Sequence, residues 1–237
     1  NVYREEKCVY KYQCVDQILS EILETYFERT KENVMKSVKK EFVKIIAIYS
    51  PIHRVGKTSF AIAFGKELAK FKKVLYLNME EYFGYGEMFE QIDNGNLGDA
   101  LYYTKQENSN FGLRLRMLVR TIDELDYIPP MPVSLDLKEV LWEEWKVLFK
   151  QIVEDSVYEV ILLDIGESVQ GLLKMLDLCD RIYMPVLEDD VSQEKMRQYE
   201  ENLQKLQLER LMEKTYMFIG LQDIENKMRQ LVKEEVL

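Results

Sequence analysis

The residues with the clearest chemical potential form one short segment, Ser-Pro-Ile-His-Arg-Val-Gly-Lys-Thr, which runs from Ser50 to Thr58. Its ending, Gly-Lys-Thr, is that of loops that bind the phosphates of a nucleotide. In such a loop Lys57 neutralises phosphate oxygens, the Thr58 hydroxyl ligates Mg²⁺, and Gly56 permits close backbone approach. The alternative interpretation is a chance Gly-Lys-Thr at the start of a helix.

The elements predicted around this segment favour phosphate binding. The apolar run 43–49 predicts a buried strand before it, and good helix formers follow in 58–71. A strand, loop and helix in this order aim backbone N–H groups and the positive end of the helix dipole at the loop. The residues predicted to contact the nucleotide form a continuous run: His53, Arg54, Val55, Gly56, Lys57, Thr58 and Ser59.

The start of this loop departs from the common pattern Gly-x-x-x-x-Gly-Lys-Ser/Thr. Pro51 stands at the first glycine, so one backbone donor is lost and φ is fixed. His53 and Arg54 stand where related loops often have glycine, and both add bulk near a site built for anions. We expect Arg54 to contact phosphate, because a guanidinium suits phosphate geometry. A surface histidine and a solvated arginine are the alternative.

A second candidate group ends another apolar run. The segment 158–166 reads Tyr-Glu-Val-Ile-Leu-Leu-Asp-Ile-Gly, which predicts a buried strand with Asp164 at its carboxyl end. Ligands of open α/β sheets bind at that end of the strands. We therefore expect Asp164 to hold Mg²⁺ opposite Thr58, directly or through water. The alternative is an aspartate that caps the following helix.

A third candidate follows the apolar run 74–78, where Met79, Glu80 and Glu81 come next. Glu80 is the candidate for orienting an attacking water molecule. The alternative is that acidic residues after a strand only keep a loop solvated.

The remaining pattern predicts the fold class, which is α/β. Several apolar runs lack alternation, as strands buried on both faces of a parallel sheet do. Helical segments separate them, so we predict a doubly wound, mainly parallel sheet of about seven strands flanked by helices. The predicted strands are 43–49, 74–78, 117–122, 126–128, 160–165, 181–186 and 216–221, and the predicted helices are 58–71, 133–153, 168–178, 192–212 and 223–237.

Composition limits the remaining functional classes. The 237 residues carry a formal net charge of −10, which disfavours binding of nucleic acid through the overall field. Three cysteines, Cys8, Cys14 and Cys179, show no metal-ligand spacing and predict reduced thiols in a cytoplasmic protein. The apolar runs are far shorter than the roughly 18 to 20 residues of a membrane span.

The two ends of the chain carry amphipathic patterns. Residues 1–40 predict a helix or linker, and residues 41–237 the nucleotide-binding domain. In the terminal helix one face carries Ile224, Met228, Leu231, Val232 and Val236. Because its charges roughly cancel, we expect this face to dock on the domain, with membrane association at most peripheral.

Taken together, these segments resemble the MinD/ParA-like branch of P-loop ATPases, which has a deviant Walker A motif. The resemblance spans residues 41–221. Ser50-Pro51, Arg54 to Ser59, the strand 74–82 and Asp-Tyr-Ile-Pro-Pro at 126–130 look most like the TadZ/CpaE group, which places pilus or secretion machinery at a site in the cell. The resemblance implies ATP and Mg²⁺ as ligands, a homodimer that sandwiches the nucleotide, and protein partners from that machinery. It also implies a receiver-like domain ahead of the ATPase, of which residues 10–18 resemble the tail.

Two departures from that branch shape the functional prediction. Its signature lysine, which reaches the partner subunit's phosphates, is replaced here by Ile52, and the usual acidic residue at the end of the second strand is Asn78. Cationic stabilisation of the transition state is worth about 10³ to 10⁵ in rate. The resemblance therefore predicts an ATP-dependent dimeric scaffold or localisation protein with weak or no hydrolysis. The alternative is an active ATPase with Lys57, Asp164, Glu80 and Arg54 as its catalytic set.

Two further functions are open to a P-loop domain. Non-specific DNA binding in partitioning is disfavoured by the acidity of the chain. A small-molecule kinase would need a lid-like arginine cluster. Within 80–125 the candidates are Arg114, Arg116 and Arg120, which we predict to share one solvated face of a helix or strand.

Overall fold

In a computed structural model the apolar runs form a seven-stranded sheet at the centre of the described chain. The structure describes residues 42–84, 95–106, 111–219 and 224–236. The strands are β1 (Lys44–Ile48), β2 (Val74–Met79), β3 (Arg120–Ile122), β4 (Leu125–Ile128), β5 (Val160–Ile165), β6 (Arg181–Val186) and β7 (Thr215–Ile219). Their spatial order is β3-β4-β2-β5-β1-β6-β7, and only the β3–β4 pair is antiparallel. The predicted doubly wound, mainly parallel sheet is confirmed.

The helices lie on both faces of this sheet. They are α1 (Lys57–Ala69), α2 (Leu97–Thr104), α3 (Phe111–Leu118), α4 (Ser134–Glu139), α5 (Trp142–Asp155), α6 (Leu172–Leu178), α7 (Asp190–Lys205), α8 (Arg210–Glu213) and α9 (Ile224–Val236). Successive strand residues point to opposite faces. One face of the sheet packs against α1 and α9, and the other against α2, α3, α5, α6 and α7. Both faces are therefore buried, which explains why the strands are apolar without alternation.

Two long helices predicted from periodicity are each divided in the structure. The prediction of one helix over 133–153 is wrong, because Val140 and Leu141 are extended between α4 and α5. The Glu144 carboxylate accepts the Leu141 N–H at 2.8 Å and so starts a new helix. The prediction of one helix over 192–212 is also wrong. Its first part ends at Lys205, and Gln207 adopts a left-handed φ of 57°.

The arginine cluster considered for a kinase lid is distributed over two elements. Arg114 and Arg116 lie on α3, whereas Arg120 lies in β3, so the prediction of one shared face is wrong. The Arg114 guanidinium lies over the Tyr103 ring, 4.8 Å from its centroid, where it packs rather than faces a ligand. The segment 117–122 is likewise only partly a strand, because α3 continues to Leu118.

The terminal helix α9 docks on the sheet, as predicted. Its described apolar side chains Met228, Leu231 and Val232 are buried in the same cluster as α1. No helix within the described ranges is both long and apolar enough to cross a bilayer. The predicted N-terminal helix of residues 1–40 lies outside the described residues, so that division of the chain stays a prediction.

Candidate phosphate-binding site

Three neighbouring strands end together at one edge of the sheet and position the candidate side chains. In the registers of β5 with β1 and with β2, Asp164 pairs with both Ile48 and Asn78. The loop after β1 leads into α1 at Lys57, and Glu80 follows β2 directly. The structure thus brings Lys57, Glu80 and Asp164 to one place, although more than 80 residues separate Glu80 from Asp164 in the chain.

The loop between β1 and α1 has two residues in the left-handed backbone region. Gly56, which precedes the helix, has a φ of 80°, and Arg54 has a φ of 58°. An arginine in this region is strained, whereas the glycine of related loops would not be. Among the residues that the structure describes, no side chain caps the N-terminus of α1, and the first turn of this helix contains no acidic residue. The amides of that turn and the positive end of the helix dipole therefore favour an anion at this position.

The predicted contact residues of the loop divide into buried anchors and exposed side chains. Ile52 and Val55 are each only 3% exposed and belong to the core. His53, Arg54 and Ser59 are exposed. His53 Nε2 lies 3.4 Å from a Glu167 carboxylate oxygen. Ile52 therefore anchors the loop to the core of the domain. It stands at the position where the branch that the chain resembles has its signature lysine.

Lys57 extends from the helix start across the end of β5. Its ammonium donates to the Ile165 carbonyl oxygen at 2.7 Å and forms an ion pair with Glu80. It also lies 5.9 Å from the centroid of the Tyr49 ring. The ammonium is largely enclosed by these groups, so an incoming anion would have to compete with the Glu80 carboxylate for it.

Asp164 is fully buried, and one of its two carboxylate oxygens is anchored. Tyr76 donates its hydroxyl hydrogen to Oδ2 at 3.0 Å. Oδ1 is also buried and has no hydrogen-bond partner among the described residues. Burial raises the pKa of Asp164 to about 6, opposed by the Lys57 ammonium and increased by Glu80. The nearby Thr58 hydroxyl also lowers this pKa.

The structure excludes the capping role that was the alternative for Asp164. The residue lies inside β5, and the helix that follows, α6, begins only at Leu172 after Gly171. A buried carboxylate that retains an unpaired oxygen is costly. Such a group is expected at a functional site rather than in a purely structural position.

Sequence reasoning missed two residues of this site. Tyr76 lies within an apolar run that predicts only a strand, but it shares the sheet face of Asn78 two positions later. Gly166 is the last residue of the segment that predicts the strand ending in Asp164. A Cβ atom there would meet the Met79 carbonyl oxygen at 2.9 Å and a Glu80 carboxylate oxygen at 3.1 Å. Glycine therefore allows Glu80 to approach the end of β5.

Solved structures provide the comparison for this arrangement. A ParA family ATPase from Chlorobium tepidum TLS matches with a TM-score of 0.61, 16% identity, and 81% of this chain and 80% of that chain covered. A candidate plasmid partition protein from Borrelia burgdorferi B31 bound to AMPPNP matches with a TM-score of 0.58, 21% identity, and 82% and 84% covered. The MinC:MinD cell division complex of Aquifex aeolicus matches with a TM-score of 0.54, 17% identity, and 79% and 78% covered. The chain has the ParA/MinD fold.

No protein-family model and no curated protein matches the chain.

In the ParA/MinD fold of this chain, the candidate site lies where the strand order changes direction. The chain passes from β1 over β5 to β2, and later from β5 over β1 to β6. Ligands of open α/β sheets bind at the carboxyl ends of strands at such a point.

Proposed function

We propose that the chain binds ATP and Mg²⁺ and acts as a nucleotide-dependent, dimeric localisation or scaffold protein of the TadZ/CpaE type, with weak or no hydrolysis. The single observation that carries this proposal is the buried Asp164 carboxylate, whose Oδ1 has no partner within the described part of the chain, beside Lys57 and the start of α1, where no described side chain forms a cap. A cation and free amides suit phosphate, and a carboxylate oxygen suits a divalent metal. The ParA/MinD fold supports the same interpretation.

The donors present fit Mg²⁺ bound together with a nucleotide. Among the described residues, no three His, Cys, Asp or Glu side chains group into a metal site of their own. Mg²⁺ commonly takes one or two carboxylates and completes its shell with water and substrate phosphates. Asp164 and the Thr58 hydroxyl would hold the ion, and Lys57 with the amides of 53–59 would hold the phosphates. When bound, the ion neutralises charge between the phosphates.

Weak hydrolysis is proposed because the loop lacks the cation expected at its start. Ile52 occupies that position, and its side chain is buried in the core. A side chain at this position could reach the phosphates only if the loop were reorganised. Arg54 is the remaining candidate because its side chain is exposed beside the predicted phosphates. If Arg54 provides the missing charge, the chain is an active ATPase, which is the competing function.

The partners and the location of the protein follow from the same resemblance. We propose a homodimer with nucleotide at its interface and partners among the proteins of a pilus or secretion machinery. The MinC:MinD complex among the similar structures supports a protein partner for this fold. The proposed location is cytoplasmic, in agreement with the buried Cys179, which forms no disulfide with any described residue.

The test measures binding, turnover and mass on the same preparations. ATP affinity is determined by calorimetry with Mg²⁺ and with EDTA, phosphate release is followed over time, and molar mass is measured by light scattering with and without Mg·ATP. We expect binding, a shift to dimer and very slow phosphate release. Lys57→Ala should lose binding, whereas Lys174→Ala, which changes a lysine of α6, should keep it.

Two outcomes would revise the proposal. Absence of ATP binding by the wild-type chain would reject nucleotide binding altogether. Rapid phosphate release that Arg54→Ala abolishes would reject the scaffold function and establish the ATPase.

A further inference from the structure

The buried surroundings of Asp164 contain a chain of hydrogen bonds that no part of the proposed function requires. It starts at the Glu80 backbone N–H, which donates to the Asn78 side-chain oxygen at 3.0 Å. The Asn78 amide nitrogen donates to the Tyr76 hydroxyl oxygen at 2.9 Å. The Tyr76 hydroxyl then donates to Asp164 Oδ2 at 3.0 Å. All three side chains are at most 1% exposed.

The direction of this chain is fixed by chemistry. A backbone N–H can only donate, so the atom of Asn78 that faces Glu80 must be its oxygen. The amide NH₂ group is thereby turned towards Tyr76. Since the Tyr76 oxygen accepts from Asn78, its single hydrogen is directed to Asp164. Each group in this series of hydrogen bonds is therefore fixed as a donor or an acceptor by the group before it.

The strand register explains why these groups meet. Asn78 lies directly opposite Asp164 in the parallel pair of β2 and β5, and Tyr76 lies opposite Leu162. Residues 76, 78, 162 and 164 share one sheet face because side chains alternate along a strand. A tyrosine is long enough to reach the diagonal neighbour two positions on. A smaller hydroxyl residue at 76 would not reach Asp164.

We propose that Tyr76 is a positioning residue for Asp164, held in its donating orientation by Asn78, and that the pair reserves Oδ1 of Asp164 for Mg²⁺. This inference rests on the proposed function. Tyr76 occupies Oδ2, while Oδ1 has no partner among the described residues. Partners that orient a ligating carboxylate typically change metal affinity 10- to 100-fold when removed.

The proposal gives Asn78 a positive role. In the branch that the chain resembles, an acidic residue is usual at this position, and its replacement is one of the two departures from that branch. A carboxylate at 78 would accept the Glu80 N–H with one oxygen and compete for the Tyr76 hydrogen with the other. It would also place a second negative charge in a buried position beside Asp164. The amide avoids both effects and directs the tyrosine to a single acceptor.

The test compares ATP affinity in Mg²⁺ with ATP affinity in EDTA for wild type and Tyr76→Phe, using calorimetry on the whole chain. We expect the variant to lose about tenfold in affinity in Mg²⁺ and to change little in EDTA. Tyr199→Phe is the matched control. Tyr199 is also a buried tyrosine, but its hydroxyl has no partner among the described residues and it belongs to the core on the other sheet face.

The outcomes separate this inference from the proposed function. Wild-type binding in EDTA and in Mg²⁺ tests the function, and only the change in their ratio tests the role of Tyr76. An unchanged ratio in Tyr76→Phe overturns the inference, as does wild-type binding that is insensitive to Mg²⁺ or absent. If Tyr76→Phe does not fold, Asn78→Leu replaces it, because it keeps the phenol but removes the amide that orients it, together with that amide's 3.5 Å contact to Asp164 Oδ2. The same selective loss is expected, and an unchanged ratio would again overturn the inference.

Discussion

At the scale of single residues, the candidate site keeps its cation occupied. The Lys57 ammonium pairs with Glu80 and donates to the Ile165 carbonyl oxygen. A phosphate bound at this position would have to replace the Glu80 carboxylate, so its apparent affinity would include the cost of breaking that ion pair. Under the proposed function Glu80 would therefore limit binding, whether or not it also orients water.

The first prediction concerns this competition. Glu80→Gln keeps the side-chain shape but removes the negative charge beside Lys57 and the phosphate position. We expect ATP affinity in EDTA to increase roughly threefold to tenfold, since a like charge next to the anion is removed. The measurement is calorimetry. Glu81→Gln is the control, because Glu81 contacts Lys138 instead. A decrease in affinity would show that Glu80 supports rather than opposes binding.

The second prediction follows from the raised pKa of Asp164. Its folded-state pKa of about 6 exceeds the unfolded value of 3.8, so folding favours the protonated form. Below pH 3.8 this group contributes fully to stability, and the contribution is lost as the pH rises through 6. In EDTA at pH 7.5, Asp164→Asn should raise the free energy of unfolding by on the order of 1–3 kcal/mol.

This second effect is measured by urea unfolding of both proteins at several pH values. The difference in free energy of unfolding between Asp164→Asn and wild type should disappear at low pH, because the aspartate is then protonated. The same variant should lose the Mg²⁺-dependent part of ATP affinity. An asparagine variant that is less stable at pH 7.5 would contradict the argument that Asp164 is retained at a cost for ligand binding.

At the scale of elements, the position of α9 depends on one buried carboxylate. Glu235 accepts hydrogen bonds from Lys44 of β1 at 2.8 Å and from the Tyr183 hydroxyl of β6 at 2.7 Å. Arg181 Nε lies 3.3 Å from the same group. Apolar residues of α9 pack beside α1 on this sheet face. The helix that carries Lys57 and Thr58 is thus supported from behind by a helix clamped to the sheet.

The third prediction tests this clamp. Glu235→Gln removes the charge that pairs with Lys44 and Arg181, and we expect a loss of about 2 kcal/mol in the free energy of unfolding because the paired group is buried. Glu234→Gln is a matched control in the same helix turn. Glu234 is 40% exposed and contacts Arg181 alone of these partners, so a change below about 0.5 kcal/mol is expected. Chemical unfolding measures both, and equal losses would contradict the clamp.

At the scale of the whole molecule, the net negative charge disfavours binding to DNA. Structures of plasmid partition proteins share its fold, but the formal net charge here is −10. Binding to duplex DNA depends on lysines and arginines that release counterions. The fold alone does not provide that charge.

The fourth prediction is that the chain does not bind duplex DNA at about 0.15 M salt, with or without Mg·ATP, because repulsion is not fully screened at this ionic strength. Fluorescence anisotropy of a labelled duplex of random sequence measures it. Salt-sensitive binding of DNA would contradict the prediction and favour a partitioning function.

Much of this site was predictable because its signals are local. Gly56, Lys57 and Thr58 lie between an apolar run and a helical segment, and that order is readable without knowledge of any contact. Asp164 was identified from the end of its strand. The fold class followed in the same way, since strands buried on both faces are apolar throughout.

The sequence by itself therefore determined the type of sheet, and it identified the candidate phosphate-binding segment and the candidate carboxylate near it. Only the tertiary structure decided that β2 lies beside β5, which brings Tyr76 and Asn78 to Asp164 and Glu80 to Lys57. It also decided that α4 and α5 are separate helices, because Val140 is extended and buried in the core. The physical reason is that strand order and packing depend on contacts between distant segments, whereas periodicity reports only on neighbours along the chain.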